Sequence, residues 1–218
     1  MINGSGGMRK IWFYMLVVLL GLGVLSCLHN MKLQVKNLYT DPQFTARRLS
    51  NVKIAVLPLL SAQGPVRAEE LKPRSILELV RKTRPGIDWS GTDEFELSFK
   101  NMGGLSKLKS FYSLIFEGNV LALNGADSLW NAVEHSLLLT FRLKSGATVR
   151  SFDIGQKKQF DIECELWDSA KREVLWRSVC HGESSDGQVA DSRLLVETMR
   201  RLVEEIPAVQ PGYESGSW

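Results

Sequence analysis

A short alternating run near the end of the chain constrains the fold most. In FDIECELW, Phe160, Ile162, Cys164 and Leu166 alternate with Asp161, Glu163 and Glu165. A period of two puts the apolar set on one face of a strand and the acidic set on the other, so the segment reads as buried on one side and wet on the other. SLLLTFRLKSG comes before it, and EVLWRSVCHGESS follows after a turn at Asp168 to Arg172. Three strand-like segments in succession read as an antiparallel meander. With the turn centred between Ala170 and Lys171, Cys164 falls opposite Arg177, so Cys164 and Cys180 are diagonal at best. A bridge needs Cα atoms within about 7 Å. Two free thiols are therefore expected, even in a compartment that permits disulfides.

VKIAVLPLL, Val52 to Leu60, has a different texture. It is almost continuously apolar, the pattern of a central strand covered on both faces. Pro58 lacks an N–H, so the ladder is expected to end there. Helical periods fill the middle of the chain. Ala68 to Lys82 carries Ile76, Leu77 and Val80 on one stripe, broken or restarted at Pro73. Ile87-Asp88-Trp89 reads as a short strand. Thr92 or Asp93 is placed to cap a short helix ending near Lys100. Leu105 to Phe116 aligns Leu105, Leu108, Tyr112 and Ile115, and a short helix surrounds Leu129 and Trp130. Asp191 or Ser192 is placed to cap a last helix with Leu195, Met199 and Leu202 inward, ended by Pro207. The order gives a single α/β sandwich domain over 51–206: a mixed sheet with a C-terminal antiparallel meander and packed helices. Residues 207–218 read as a flexible tail.

The beginning of the chain is of another kind. Arg9 and Lys10 precede an apolar run, Ile11 to Val24, of about fourteen residues, and then comes Val24-Leu25-Ser26-Cys27. A charged n-region, an h-region of that length and a small residue before the cut are the parts of a secretory leader. Val24 to Cys27 resembles a lipobox, which implies cleavage before Cys27 and a diacylglycerol, with palmitate-type chains, on its thiol. The signal peptide is then 1–26, with Met8 as an alternative start, and 27–50 is the lipidated cysteine and a polar tether. The competing reading is an uncleaved membrane anchor, since the uncharged run extends to Leu28, about the minimum for a span. Leu28 stands where enterobacterial lipoproteins kept at the inner membrane have aspartate, which implies the outer membrane, periplasmic face.

Composition fits one domain behind that leader. Removing the leader leaves roughly 190 residues, enough for a core of ordinary size. The formal charge of +3 falls to about +1 when Arg9 and Lys10 leave. Such a chain lacks the concentrated basic patch that nucleic acid needs.

YTDPQF, then NVKIAVLPLL, then ELWDSAKREVLWRS form a layout with a precedent. Over Tyr39 to Glu205 it resembles small envelope lipoproteins whose domain is similar to the amino-terminal domain of the Tol translocation protein B. The curli-secretion lipoprotein and the lipoprotein activators of penicillin-binding proteins are similar in the same respect. The resemblance implies that a strand of the IAVLPF type opens the domain and an L-x-D-x-x-x-G-x-V-L-W hairpin closes it. Arg172 stands where that hairpin has its turn glycine.

Catalytic chemistry has little support. The histidines, His29, His135 and His181, are isolated in sequence. No HExxH, HxxxH or CxxC spacing is present, so neither a metal nor a cofactor is expected. There is no G-x-S-x-G elbow and no phosphate-binding loop. Ser106 to Lys109 matches S-x-x-K, and Lys144-Ser145-Gly146 resembles K-T-G, but S-x-N is missing between them. Lys107 and Lys109 read better as the solvated side of a helix. Trp167 and Trp176 read as packing residues, and Asp168 as a turn former. Arg47-Arg48 and Arg81-Lys82-Thr83-Arg84 are cations that could meet lipid phosphates, or could complement helix ends. The expectation is a non-enzymatic, lipid-anchored periplasmic module that assembles with or binds an envelope partner. The alternative is a homo-oligomeric, ring-forming subunit of an export or polysaccharide-secretion complex.

Overall fold

Strand β1 is Met31–Thr40, β2 Ile54–Ser61, β3 Gly64–Pro65, β4 Trp89–Ser90, β5 Leu137–Ser151, β6 Gly155–Asp168 and β7 Glu173–Ser184. The helices are α1 Pro73–Thr83, α2 Thr92–Met102, α3 Gly104–Glu117, α4 Ala126–Trp130 and α5 Asp191–Glu204. These elements come from a computed structural model that describes residues 31–50, 52–66, 71–102, 104–118, 126–151, 155–185 and 189–207. The leader, Cys27, His29 and the 208–218 tail lie outside the described residues. Among those described, no helix is long and apolar enough to cross a membrane.

The strands form one mixed sheet in the order β1-β7-β6-β5-β2-β3, with β4 also on β2. β5, β6, β7 and β1 run antiparallel in succession, while β5 and β2 are parallel. The fold is the expected α/β sandwich with a C-terminal meander. Alternate residues of β2 feed two cores. Ile54, Val56 and Leu59 pack with α1 and α5 through Ile76, Val80, Leu194, Met199 and Leu202. Ala55, Leu57 and Leu60 pack with α2, α3 and α4 through Phe95, Phe99, Phe111 and Trp130. The reading of Val52 to Leu60 as a strand buried on both faces therefore holds from Ile54. Pro58 does not end the ladder. It falls where the β2–β5 register slips between Val56 and Leu59, an irregularity that absorbs its missing donor.

Local chemistry explains most element boundaries. Pro73 is the first helical residue of α1, where its missing N–H costs nothing. Trp167 and Trp176 are both core, on opposite faces of the sheet. Asp168 accepts from the Lys171 N–H at 3.0 Å, the turn-forming role expected of it. Arg172, standing in for glycine, is forced to φ 60°.

Several expectations are corrected. Residues 31–40, read as tether, form the edge strand β1 paired with β7. Alternation there is apolar–polar in Met31, Lys32, Leu33, Gln34, Val35 and Lys36, and half-buried Leu33 and Val35 rest on the α5 side. Leu105 is 63% exposed and off the α3 stripe, because Phe111 and Leu114 share the burial instead. Thr92 does not cap α2; it opens the helix, and its hydroxyl donates to the Val56 carbonyl at 2.9 Å. The residue preceding α5 is Ala190, and Asp191 pairs with Lys158 at 2.8 Å instead of capping.

The β6–β7 turn is centred as expected, with Asp168 opposite Glu173 and Trp167 opposite Val174. A bulge then shifts the register by one, so Cys164 faces Ser178 rather than Arg177, and Cys180 faces Ile162. The two thiols are diagonal, free and buried. Burial pushes the Cys164 thiol well up and the Cys180 thiol up to about 11.

Candidate functional site

α2, α3 and α4 lie mainly over the β2–β5 half of their sheet face, with Trp130 reaching Trp167 near the end of β6. Across most of β6, β7 and β1 that face carries no helix among the described residues, and it is charged. Register places its side chains in rows. Thr140, Glu165, Arg177 and Tyr39 lie in one row, Arg142, Glu163, Val179 and Lys36 in the next, and Ser145, Asp161, His181 and Gln34 beyond them.

The centre of this face is an ion cluster. Glu165 is fully buried, and its Oε1 accepts from Arg142 Nη2 at 2.7 Å and from Arg177 Nε at 2.6 Å. Its Oε2 accepts from Trp167 Nε1 at 3.0 Å. Arg142, only 3% exposed, also donates to Glu163. Its Nη1 reaches the carbonyls of Ile115 and Phe116, both at 3.1 Å, at the end of α3. Those are carbonyls the helix leaves unpaired, so a guanidinium complements the negative end of the dipole. Gly118, at φ 69°, ends the helix, and a Cβ there would collide with the Arg142 guanidinium. Burial, the largest influence, raises the Glu165 carboxyl above its usual range, against the downward pull of Arg142 and Arg177.

Beyond this cluster, Asp161 sits between two partners. It accepts from the Ser145 hydroxyl, and His181 Nδ1 lies 2.7 Å from its other oxygen. Partial burial works against its charge, but these two hydrogen bonds outweigh it and hold the carboxyl below its usual range. Serine, aspartate and histidine are all present, yet the carboxylate stands in the middle. A histidine on the far side of the aspartate cannot take the serine proton, which nucleophilic catalysis requires. Further along, Glu183 pairs with Lys157 at 2.9 Å.

Sequence reading placed Glu163 and Glu165 on a wet face, and the structure buries both under the two arginines. The signal that was available is Arg142. A lone arginine inside SLLLTFRL, a strand otherwise apolar, requires buried anionic partners.

The other candidates are scattered. His135 is buried beside Phe95, remote from His181 on β7, and desolvation pulls its pKa down. Ser106 and Lys109 are exposed on α3, and Lys144 is exposed on β5. Much of the basic run at the end of α1 is committed to structure. Arg84 donates to the Val203 carbonyl at 3.1 Å and to those of Glu204 and Ile206, closing α5. Arg81 donates to the Trp89 carbonyl at 2.9 Å. Arg48 pairs with buried Asp168 at 2.9 Å. Among the described residues no group of His, Cys, Asp and Glu is arranged to hold a metal. Two open depressions accompany these features: about 720 Å³ beside Leu38, Tyr39 and Arg177, and about 570 Å³ between α1 and α5.

No family model matches the chain, and no curated protein matches it. Solved structures do match loosely. The PelC dodecamer from Paraburkholderia phytofirmans aligns at TM-score 0.45 and 12% identity, over 82% of this chain and 100% of that one. Lipoprotein GNA1162 from Neisseria meningitidis aligns at 0.42 and 14%, over 70% and 97%. The LpoB C-terminal domain from Salmonella enterica aligns at 0.39 and 10%, over 64% and 85%. Likeness this loose assigns the site no role.

Proposed function

We propose that the chain is a lipid-anchored periplasmic module of the bacterial cell envelope that works by contact with a protein partner and not by turnover. The observation that carries this reading is the half of the sheet face that lies beyond the described helices. Its charges are ion-paired and hydrogen-bonded to one another, and its serine, aspartate and histidine stand in an order that cannot activate a nucleophile. The charges left partly open on that face, Lys36, Arg177, Asp161 and His181, suit recognition, where fixed charges select partners and suppress wrong ones. The Val24 to Cys27 box supports the anchor, and Leu28 supports the outer membrane.

The test has two arms. Cys27→Ser should abolish fatty-acid labelling and leave an unprocessed precursor; a variant still cleaved and labelled contradicts the anchor. His135→Ala and Ser106→Ala, both away from that face, should leave cellular function intact apart from modest stability losses. Hydrolysis of an envelope substrate by the purified protein, lost on either change, contradicts the contact reading.

A further inference from the structure

One end of the sheet brings three strands level. Met31 faces Ser184, and Ser184 faces Lys158. Three residues, Leu28 to Asn30, lie between Cys27 and Met31, and the four residue steps span at most about 14 Å when fully extended. At the same end β5 and β6 run on as a two-stranded ribbon beyond the last pair with β7. Three further pairs, Val149 with Lys157, Arg150 with Gln156 and Ser151 with Gly155, carry it forward. That is an extension of about 10 Å at the rise of an antiparallel strand.

The two lengths are comparable. If Cys27 is held at a bilayer surface, Met31 stands within about 14 Å of it, and the ribbon projects about 10 Å into that gap. The opposite end of the sheet, at the Asp168–Glu173 turn, lies ten residues of β6 away from Lys158, or about 34 Å. Two of the lysines at this end are paired, Lys157 with Glu183 and Lys158 with Asp191, which offsets their charge. Covalent reach sets the orientation.

We propose that the lipid on Cys27 seats the domain end-on, with the Met31 end of β1 and the projecting β5–β6 ribbon against the phospholipid headgroups. The Asp168–Glu173 turn then points away from the membrane, and the charged sheet face stands upright between the two ends, open from the side. This placement rests on the anchoring reading above.

Nitroxide labels test it. Cys164 and Cys180 are buried, and a lipidated Cys27 has no free thiol, so introduced cysteines label selectively. Lys157→Cys and Lys32→Cys report the membrane end, and Lys171→Cys reports the far turn. The full-length protein is reconstituted in phosphatidylethanolamine–phosphatidylglycerol vesicles, and mass spectrometry of the Cys27 peptide is read in parallel. The expected result is a several-fold loss of collision with a water-soluble nickel chelate at positions 157 and 32, relative to the leaderless Cys27→Ser chain, and no change at 171. Lipid on Cys27 with equal accessibility at all three positions overturns the orientation alone. Absence of lipid on Cys27 overturns the anchor and the orientation together.

Discussion

The same sheet face is stabilised in two different ways. Over β2 and β5 it lies beneath α2, α3 and α4, where Phe95, Phe99 and Phe111 cluster with centroids 5.2–5.5 Å apart and Trp130 packs edge-on to Phe111. Over most of β6, β7 and β1 no helix arrives among the described residues, and arginines and carboxylates interlock instead. Arg142 joins the two halves, gripping the end of α3 with one nitrogen and two carboxylates with another. An apolar half is non-directional and tolerates exchange of similar shapes. An ionic half is directional and tolerates loss of one member poorly, because the others become unpaired. Charge on the bare half is architecture first, and whatever it recognises must fit a fixed pattern.

Ala55→Asp should break the covered half most severely. It sets a carboxylate without a partner among Phe95, Phe99 and Phe111, at a cost of several kcal/mol. Cooperative urea unfolding should be lost; tolerance within about 0.5 kcal/mol, as at surface sites, would refute the burial of β2. Phe111→Leu on the same half should be much milder, about 1–1.5 kcal/mol in urea midpoint terms, since a hydrophobic exchange keeps most of the packing.

The contrast between these halves was only half legible in the sequence. Period-two alternation in FDIECELW and the continuous VKIAVLPLL run report burial directly, so the strands, their faces and the meander follow from them. The acidic side of that alternation misled, because pattern cannot distinguish a carboxylate in water from one under Arg142 and Arg177. That depends on β5, twenty-odd residues earlier in the chain, lying beside β6. Strand β1 was missed because its exposed lysines look like those of a tether until β7 pairs with it. The one-residue bulge that moved Cys164 from Arg177 to Ser178 has no local signature in the sequence.

Two smaller effects sharpen the comparison at its margins. Arg172→Gly at the β6–β7 turn should raise stability by about 0.5–1 kcal/mol, since a left-handed conformation strains any residue with a Cβ. The gain is limited by loss of the Arg172 pair with exposed Asp127, and differential scanning calorimetry reads the sum. His135 should matter least at alkaline pH. Desolvation holds its folded-state pKa below the unfolded value, so the unfolded chain binds the proton more tightly. Stability should therefore fall as pH drops through the ordinary histidine range and level off below the folded pKa. Urea unfolding of wild type and His135→Leu at pH 8 and pH 5.5 should show that the variant loses less on acidification.

The most direct test compares one break in the ion cluster with its removal. Arg142→Met alone leaves Glu163 and buried Glu165 to share Arg177, one cation for two carboxylates, and should cost about 3–5 kcal/mol in urea unfolding. Arg142→Met combined with Glu163→Gln and Glu165→Gln removes those carboxylates and should recover much of that loss. A triple variant no more stable than Arg142→Met, or an Arg142→Met protein within about 0.5 kcal/mol of wild type, would contradict the account of the bare half as a mutually neutralised ionic structure.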